Sequence, residues 1–182
     1  MNQQWASTAK CIKRVIEKAG IHSSHIAAIG GSGHGAGLYL LDKENNPLGM
    51  AATSMDSRSS EIVQEWQEQN ISAYDLTLHP VWAGQAVPIL RWLKIHDPVR
   101  YHQIHKILSV KDWIKYKLTG CIACEYTDAS NSGLINIKTR SYDKEILSIY
   151  EIEEMTERLA PLSGSAEIIG HITDESAAQT GL

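Results

Sequence analysis

Residues 26–42 read IAAIGGSGHGAGLYLLD: two apolar runs around a turn made almost wholly of glycine. Ile26, Ala27, Ala28 and Ile29 predict a short buried strand. Leu38, Tyr39, Leu40 and Leu41 predict a second one that ends at Asp42. Between them Gly30, Gly31, Gly33, Gly35 and Gly37 leave Ser32 and His34 as nearly the only side chains. Glycine sacrifices backbone entropy, so such density belongs where φ must turn positive or where another group must come close. The turn is either a tight hairpin with no ligand or a cradle that lets a ligand reach the main chain. It is not a Walker A loop, because no Gly-Lys-Ser/Thr follows. Nor is it a dinucleotide fingerprint: LYLLD continues as strand where that fingerprint opens a helix.

The chain around it has 182 residues, enough for one sizeable core or one large subdomain. Its apolar share of 43% and charged share of 21% are ordinary for a globular protein. A net charge of −4 offers no basic face, so no nucleic-acid partner is expected. No apolar run is long enough to cross a bilayer, so no membrane partner is expected either. Three cysteines, Cys11, Cys121 and Cys124, cannot all pair within the chain, and with no signal segment they point to a reducing cytoplasm. Cys121-x-x-Cys124 has the spacing of zinc and redox sites. A structural zinc needs two further ligands at comparable spacing, and His96, His102 and His105 offer no matching pair. No metal is expected, and the two cysteines read as small side chains in an extended stretch.

Residues 3–19 predict an amphipathic helix through Trp5, Ala9, Ile12, Val15, Ile16 and Ala19, stopped by Gly20. Residues 48–53 return to the sheet, and Asp56 or Ser57 is placed to cap a helix over 58–69. Asp56 and Arg58 at the mouth of a strand also suit a polyhydroxylated ligand, one accepting hydrogen bonds from hydroxyls and the other donating several. Trp82, near the end of an irregular stretch, can stack on a sugar's C–H face or plug the core. Helices are expected over 85–96 and 98–105, a brief strand at 107–110, and a helix from Lys111 to Gly120. The extended CIACEYT leads to a polar cluster in which Asp128, Ser130, Asn131 and Ser132 serve either a ligand or a helix start. Short helices follow over 142–150 and 152–159, then an extended connector and a last helix over 174–180.

Four segments, in order, carry a resemblance. GGSGHGAGLYLLD (30–42), ATSMDSR (52–58), KDWIKYKLTG (111–120) and YTDASNS (126–132) resemble the G-x-x-x-Q-x-x-G-x-x-x-x-D, W-N-D-x-R, K-D-Y-L-x-x-x-L-T-G and T-D-x-S-D-A-S segments of the FGGY carbohydrate kinases. The likeness covers nearly the whole chain and is strongest toward the family's L-xylulose kinase branch.

That resemblance implies an α/β fold, a partial actin-like ATPase (ribonuclease H-like) domain with a mixed sheet and flanking helices. It implies ATP-dependent phosphorylation of a ketopentose such as L-xylulose, with the sugar held in a cleft of which residues 1–182 line one wall. By position in the motifs, Gly33, His34, Gly35, Asp56, Arg58 and Trp82 become substrate-binding residues, while Lys111, Asp112 and Asp128 support the fold. His34 stands where the family has glutamine, and Ser54 where many relatives have tryptophan. The family's phosphate-handling D-x-G-T or D-x-G-S hairpin and its G-G-x-D-like catalytic aspartate segment are not found in these residues. The chain therefore reads as an incomplete N-terminal domain. ATP and magnesium belong to the full-length family and are not expected to bind tightly here, and no catalytic residue is assigned. The expected partners are a small sugar and a second copy or complementary kinase segments. The alternative is a noncatalytic sugar-binding or protein-interaction module derived from such a kinase.

Overall fold

Tyr39, Leu40 and Leu41 form strand β1 (Tyr39–Leu41), and all three are buried although their side chains alternate in direction. The computed structural model, which describes residues 1–182, explains this with two cores. Leu38 and Leu40 face one that also holds Trp66, Leu90 and Tyr150, whereas Tyr39 and Leu41 face another built on Trp5, Trp113 and Leu118. Burying a leucine on either side is worth about 2 kcal/mol.

Helix α1 (Asn2–Ala19) precedes this wall. It covers the expected range and ends at Gly20 with φ of 64°, but its apolar stripe is only half used. Trp5 and Ala9 are buried, whereas Val15 is 66% exposed. After β1 come α2 (Ser60–Glu68), α3 (Tyr74–Thr77), α4 (Ala86–His96) and α5 (Pro98–Gln103). Strand β2 (Lys106–Leu108) pairs antiparallel with β1 in the register Leu40↔Ile107. Helix α6 (Val110–Thr119) opens with a capping box between Ser109 and Asp112 and closes on left-handed Gly120.

The remaining elements are β3 (Cys124–Glu125), α7 (Tyr126–Asn131), β4 (Ile135–Asn136), β5 (Ser141–Tyr142), α8 (Lys144–Ile149), β6 (Leu162–Ser163) and α9 (Asp174–Thr180). A 3₁₀ turn at Glu153–Arg158 stands where a short helix is expected. Strands β3 and β6 run parallel, and β4 and β5 antiparallel. The structure is thus mixed α/β, with its sheet content divided into three two-stranded ladders of both senses. Isolated bridges Leu38↔Ala52, Leu41↔Pro47 and Ile107↔Leu159 extend the first ladder on both sides. No helix is long and apolar enough to cross a membrane.

The strand expected over Ile26–Ile29 does not form. Residues 27–36 make no backbone–backbone hydrogen bond, and Ile29 is 44% exposed. Both edges of β1 are already taken, one by β2 and the other by Pro47 and Ala52, so the first apolar run has no ladder to join. The Cys121-x-x-Cys124 pair straddles the start of β3. Burial, then the nearby Asp112, push the Cys124 thiol well above its ordinary range, the opposite of what a redox dithiol needs.

Candidate functional site

The glycine-rich turn is placed by contacts that exclude a Cβ. One on Gly33 would lie 2.8 Å from the Val110 side chain, and one on Gly35 2.5 Å from the Asn131 amide nitrogen. Gly37 adopts φ of +83°, and a Cβ there would meet the Ala52 carbonyl at 2.7 Å. Gly33 and Gly35 thus seat the turn on the start of α6 and the end of α7. His34 stands on top. Its Nδ1 is 3.3 Å from the Gly35 carbonyl oxygen and so carries the proton. Its Nε2 then accepts from the Tyr39 hydroxyl at 3.2 Å. Tyr39 accepts in turn from the Gln4 amide at 3.4 Å. These are long hydrogen bonds that a better-placed hydroxyl can displace.

Ser54 is the junction. Its amide lies 3.4 Å from where a Gly37 Cβ would stand, beside His34, and its carbonyl 2.2 Å from where a Gly84 Cβ would stand. The Trp82 ring is 2.3 Å from that same point. The Gly37 amide donates to the Gly84 carbonyl at 2.9 Å, so the His34 turn and the Trp82 loop are directly stitched. Trp82 is 37% exposed, an aromatic surface rather than a core plug.

Asp56 and Arg58 lie just beyond Ser54. The expected helix cap is not made: α2 begins after Ser59, and no side chain caps it. Asp56 Oδ1 instead accepts from the Arg58 backbone amide at 3.1 Å and from its Nε at 2.8 Å, while Oδ2 accepts from Nη2 at 2.8 Å. This two-pronged pair holds the Asp56 carboxyl below the usual carboxylate range and raises the Arg58 guanidinium. The guanidinium also sits 5.1 Å from the Trp92 ring centroid. No direct contact joins this pair to His34 or Trp82; the link is the backbone of 53–54, with the Asp56 amide donating to the Thr53 carbonyl.

Two supporting residues went unnoticed in the sequence. Tyr39 reads as one more apolar strand position, yet it orients His34. Gln85 is fully buried, accepts from the Trp82 amide at 3.1 Å and donates to the Asn131 carbonyl at 2.8 Å. A lone amide ahead of the apolar AVPIL was the available signal for it.

Beneath the turn lies a buried polar layer. Lys111 pairs with Asp128 and Lys115 with Asp112, both at 2.9 Å. The Ser109 hydroxyl is 2.7 Å from Asp112 and 2.8 Å from Asp128, and having one proton it donates to one at a time. Burial works to raise the Glu125 carboxyl, but hydrogen bonds from Ser165, Thr127 and the Thr127 and Asp128 amides bring it down to about 2. Because Asp112 and Asp128 are committed to lysines, they do not fit a magnesium site. No group of three His, Cys, Asp or Glu side chains converges to hold a metal ion.

The profile of the FGGY family of carbohydrate kinases, N-terminal domain, matches residues 1–182. The chain belongs to that family. Among curated relatives of this FGGY chain, a probable L-xylulose kinase of Haemophilus influenzae is 40% identical over 184 residues, covering 100% of the chain and 38% of the relative. An L-xylulose/3-keto-L-gulonate kinase of Escherichia coli is 41% identical over 184 residues, covering 100% and 37%. Among solved structures, a gluconate kinase from Lactobacillus acidophilus superposes with a TM-score of 0.87 at 26% identity, covering 98% of the chain and 36% of that protein. A ligand-bound xylulose kinase from the same organism gives a TM-score of 0.84 at 26% identity, covering 98% and 36%. The FGGY chain thus spans under two fifths of the length of the relatives it matches.

Proposed function

We propose that residues 1–182 form the sugar-side wall of a ketopentose kinase, with L-xylulose or a close relative as substrate. The observation that carries this is the Ser54 junction, where the His34 turn, the Trp82 loop and the segment leading to Asp56 and Arg58 meet. Such a surface supplies what a polyol needs. Asp56 accepts from hydroxyls, Arg58 donates to them, Trp82 offers a face to C–H groups, and His34 exchanges its long bond to Tyr39 for one to the ligand. The names of relatives 40% and 41% identical favour L-xylulose over glycerol.

Phosphoryl transfer rests on positioning and on charge stabilisation around the moving phosphoryl group, which ATP and magnesium bring when bound. The residues here orient the sugar and shield one side of it. They contain no D-x-G-T or D-x-G-S segment and no G-G-x-D segment, so the 182-residue chain is assigned no catalytic residue. Its three free thiols suit a reducing cytoplasm.

The test is calorimetry of the 182-residue chain with L-xylulose, D-xylulose and glycerol, alongside a sugar-dependent ATP turnover assay. The expected result is weak, saturable ketopentose binding, lost in Asp56→Ala, with no ATP turnover. Equal heats from glycerol, or binding indifferent to Asp56→Ala, overturns the assignment. Turnover by the chain alone overturns its reading as a partial domain, whereas ketopentose binding with no turnover is shared with a noncatalytic sugar-binding module. Restoring the family's missing segments in one longer chain separates those two.

A further inference from the structure

A cavity of about 360 Å³ opens beside α7, between its residues 126–131 and the β4–β5 hairpin. Its walls combine polar and apolar side chains. Arg140, Tyr126, Ser130 and Asn131 supply the polar groups, and Ile135 and Ile137 the aliphatic ones. No lining residue is an aspartate or glutamate.

Arg140 forms no ion pair within the chain, in contrast to Arg58 and Arg91, which each hold a carboxylate, and in common with Arg14, Arg100 and Arg158. Its guanidinium lies 5.9 Å from the Tyr126 ring centroid. Its backbone is fixed at φ of +54° in the turn between β4 and β5, with its amide donating to the Asn136 carbonyl at 2.8 Å. A left-handed arginine costs on the order of 1 kcal/mol, a strain that persists only where the surroundings enforce it. The base of that hairpin is held by the Ile137 amide, which donates to the Leu76 carbonyl at 2.9 Å. The polar groups around this cation are also unengaged. The Tyr126 and Ser130 hydroxyls and the Asn131 side-chain amide make no hydrogen bond within the chain, whereas the Thr127 hydroxyl is spent on Glu125. One unpaired guanidinium, three uncommitted donors, an aromatic ring and an apolar wall, with no carboxylate, suit an oxyanion carried on a small carbon skeleton.

We propose that this cavity binds a small organic anion, a sugar phosphate or a sugar acid, with Arg140 on its charged head and Tyr126 and Ile137 against its carbon chain. None of the residues assigned to the sugar lines this cavity, and the proposal does not depend on the kinase reading. Asn131 touches both: its side-chain amide underlies Gly35, and its carbonyl is held by Gln85.

The experiment is an NMR or calorimetric titration of the 182-residue chain with ribose 5-phosphate, gluconate, inorganic phosphate and ribose. Ribose 5-phosphate or gluconate is expected to saturate, the tighter of the two naming the head group, and ribose is not. Arg140→Asn removes the charge yet suits a left-handed φ, so the fold is kept, and it is expected to weaken the anion about tenfold or more. His34→Ala is expected to leave anion binding unchanged. Binding unaffected by Arg140→Asn, binding abolished by His34→Ala, inorganic phosphate matching ribose 5-phosphate, or no saturation by either organic anion overturns the proposal. An unchanged thermal midpoint for both variants confirms that folding is not the cause.

Discussion

Gln85 reaches across 46 positions of sequence to donate its side-chain amide to the Asn131 carbonyl at 2.8 Å. Its carbonyl oxygen accepts from the Trp82 amide, so one buried side chain ties the exposed aromatic to the end of α7. Gln85→Leu keeps the volume but leaves both backbone groups unpaired. Urea unfolding is expected to show a loss of about 2 kcal/mol, and ketopentose binding is expected to weaken with it.

Two glycines in or near the turn are expected to behave in opposite ways. A Cβ on Gly84 collides with the Ser54 backbone and the Trp82 ring, whereas one on Gly31 meets nothing within 4 Å. Gly84→Ala should lower stability by about 1–3 kcal/mol. Gly31→Ala should leave it unchanged or raise it by less than about 1 kcal/mol. Thermal melts of the two variants side by side check this.

Acid stability should report on Glu125. Its carboxyl drops from an ordinary 4.5 to about 2 in the folded chain, so its contribution is present above about pH 4.5 and is lost as pH falls toward 2. Glu125→Gln has no such titration. The variant is expected to be less stable near neutrality and to show a flatter decline across that window, measured by denaturant midpoints at stepped pH.

Arg58→Ala separates recognition from folding. The Asp56–Arg58 pair is partly exposed, with 34% of the arginine side chain accessible, so its loss should cost less than about 1 kcal/mol of stability. Ketopentose affinity is expected to fall about tenfold. Calorimetry and a melt on one preparation give both numbers, and a large stability loss with intact binding contradicts the assigned role.

What the sequence disclosed follows from what is local. Helix α6 announces itself through Lys111, Asp112 and Gly120 and α5 through Asp97 and Pro98, because such signals act within a turn of the residue that supplies them, while the Ser109 cap lies in a stretch that reads as strand. The Ile26 run reads as strand yet stays coil because pairing depends on free edges, and β1 has none to give. Half of α1's stripe stays wet for a related reason: burial requires a neighbour, and Trp5, whose indole donates to Gln179 at 2.6 Å, has one in α9, whereas Val15 stays exposed. At the site, glycine density located the His34 turn. The roles of Tyr39 and Gln85 stayed hidden, since each acts on a partner fixed only once the chain has closed.

Because β1 has an interior on either side, it lacks an idle face. A slip by one position would push Tyr39 among aliphatic neighbours shaped for Leu40 and drag Gly37 off the Ala52 carbonyl. The glycine-rich stretch ahead of it delivers His34 to one address, because the three residues it runs into cannot drift.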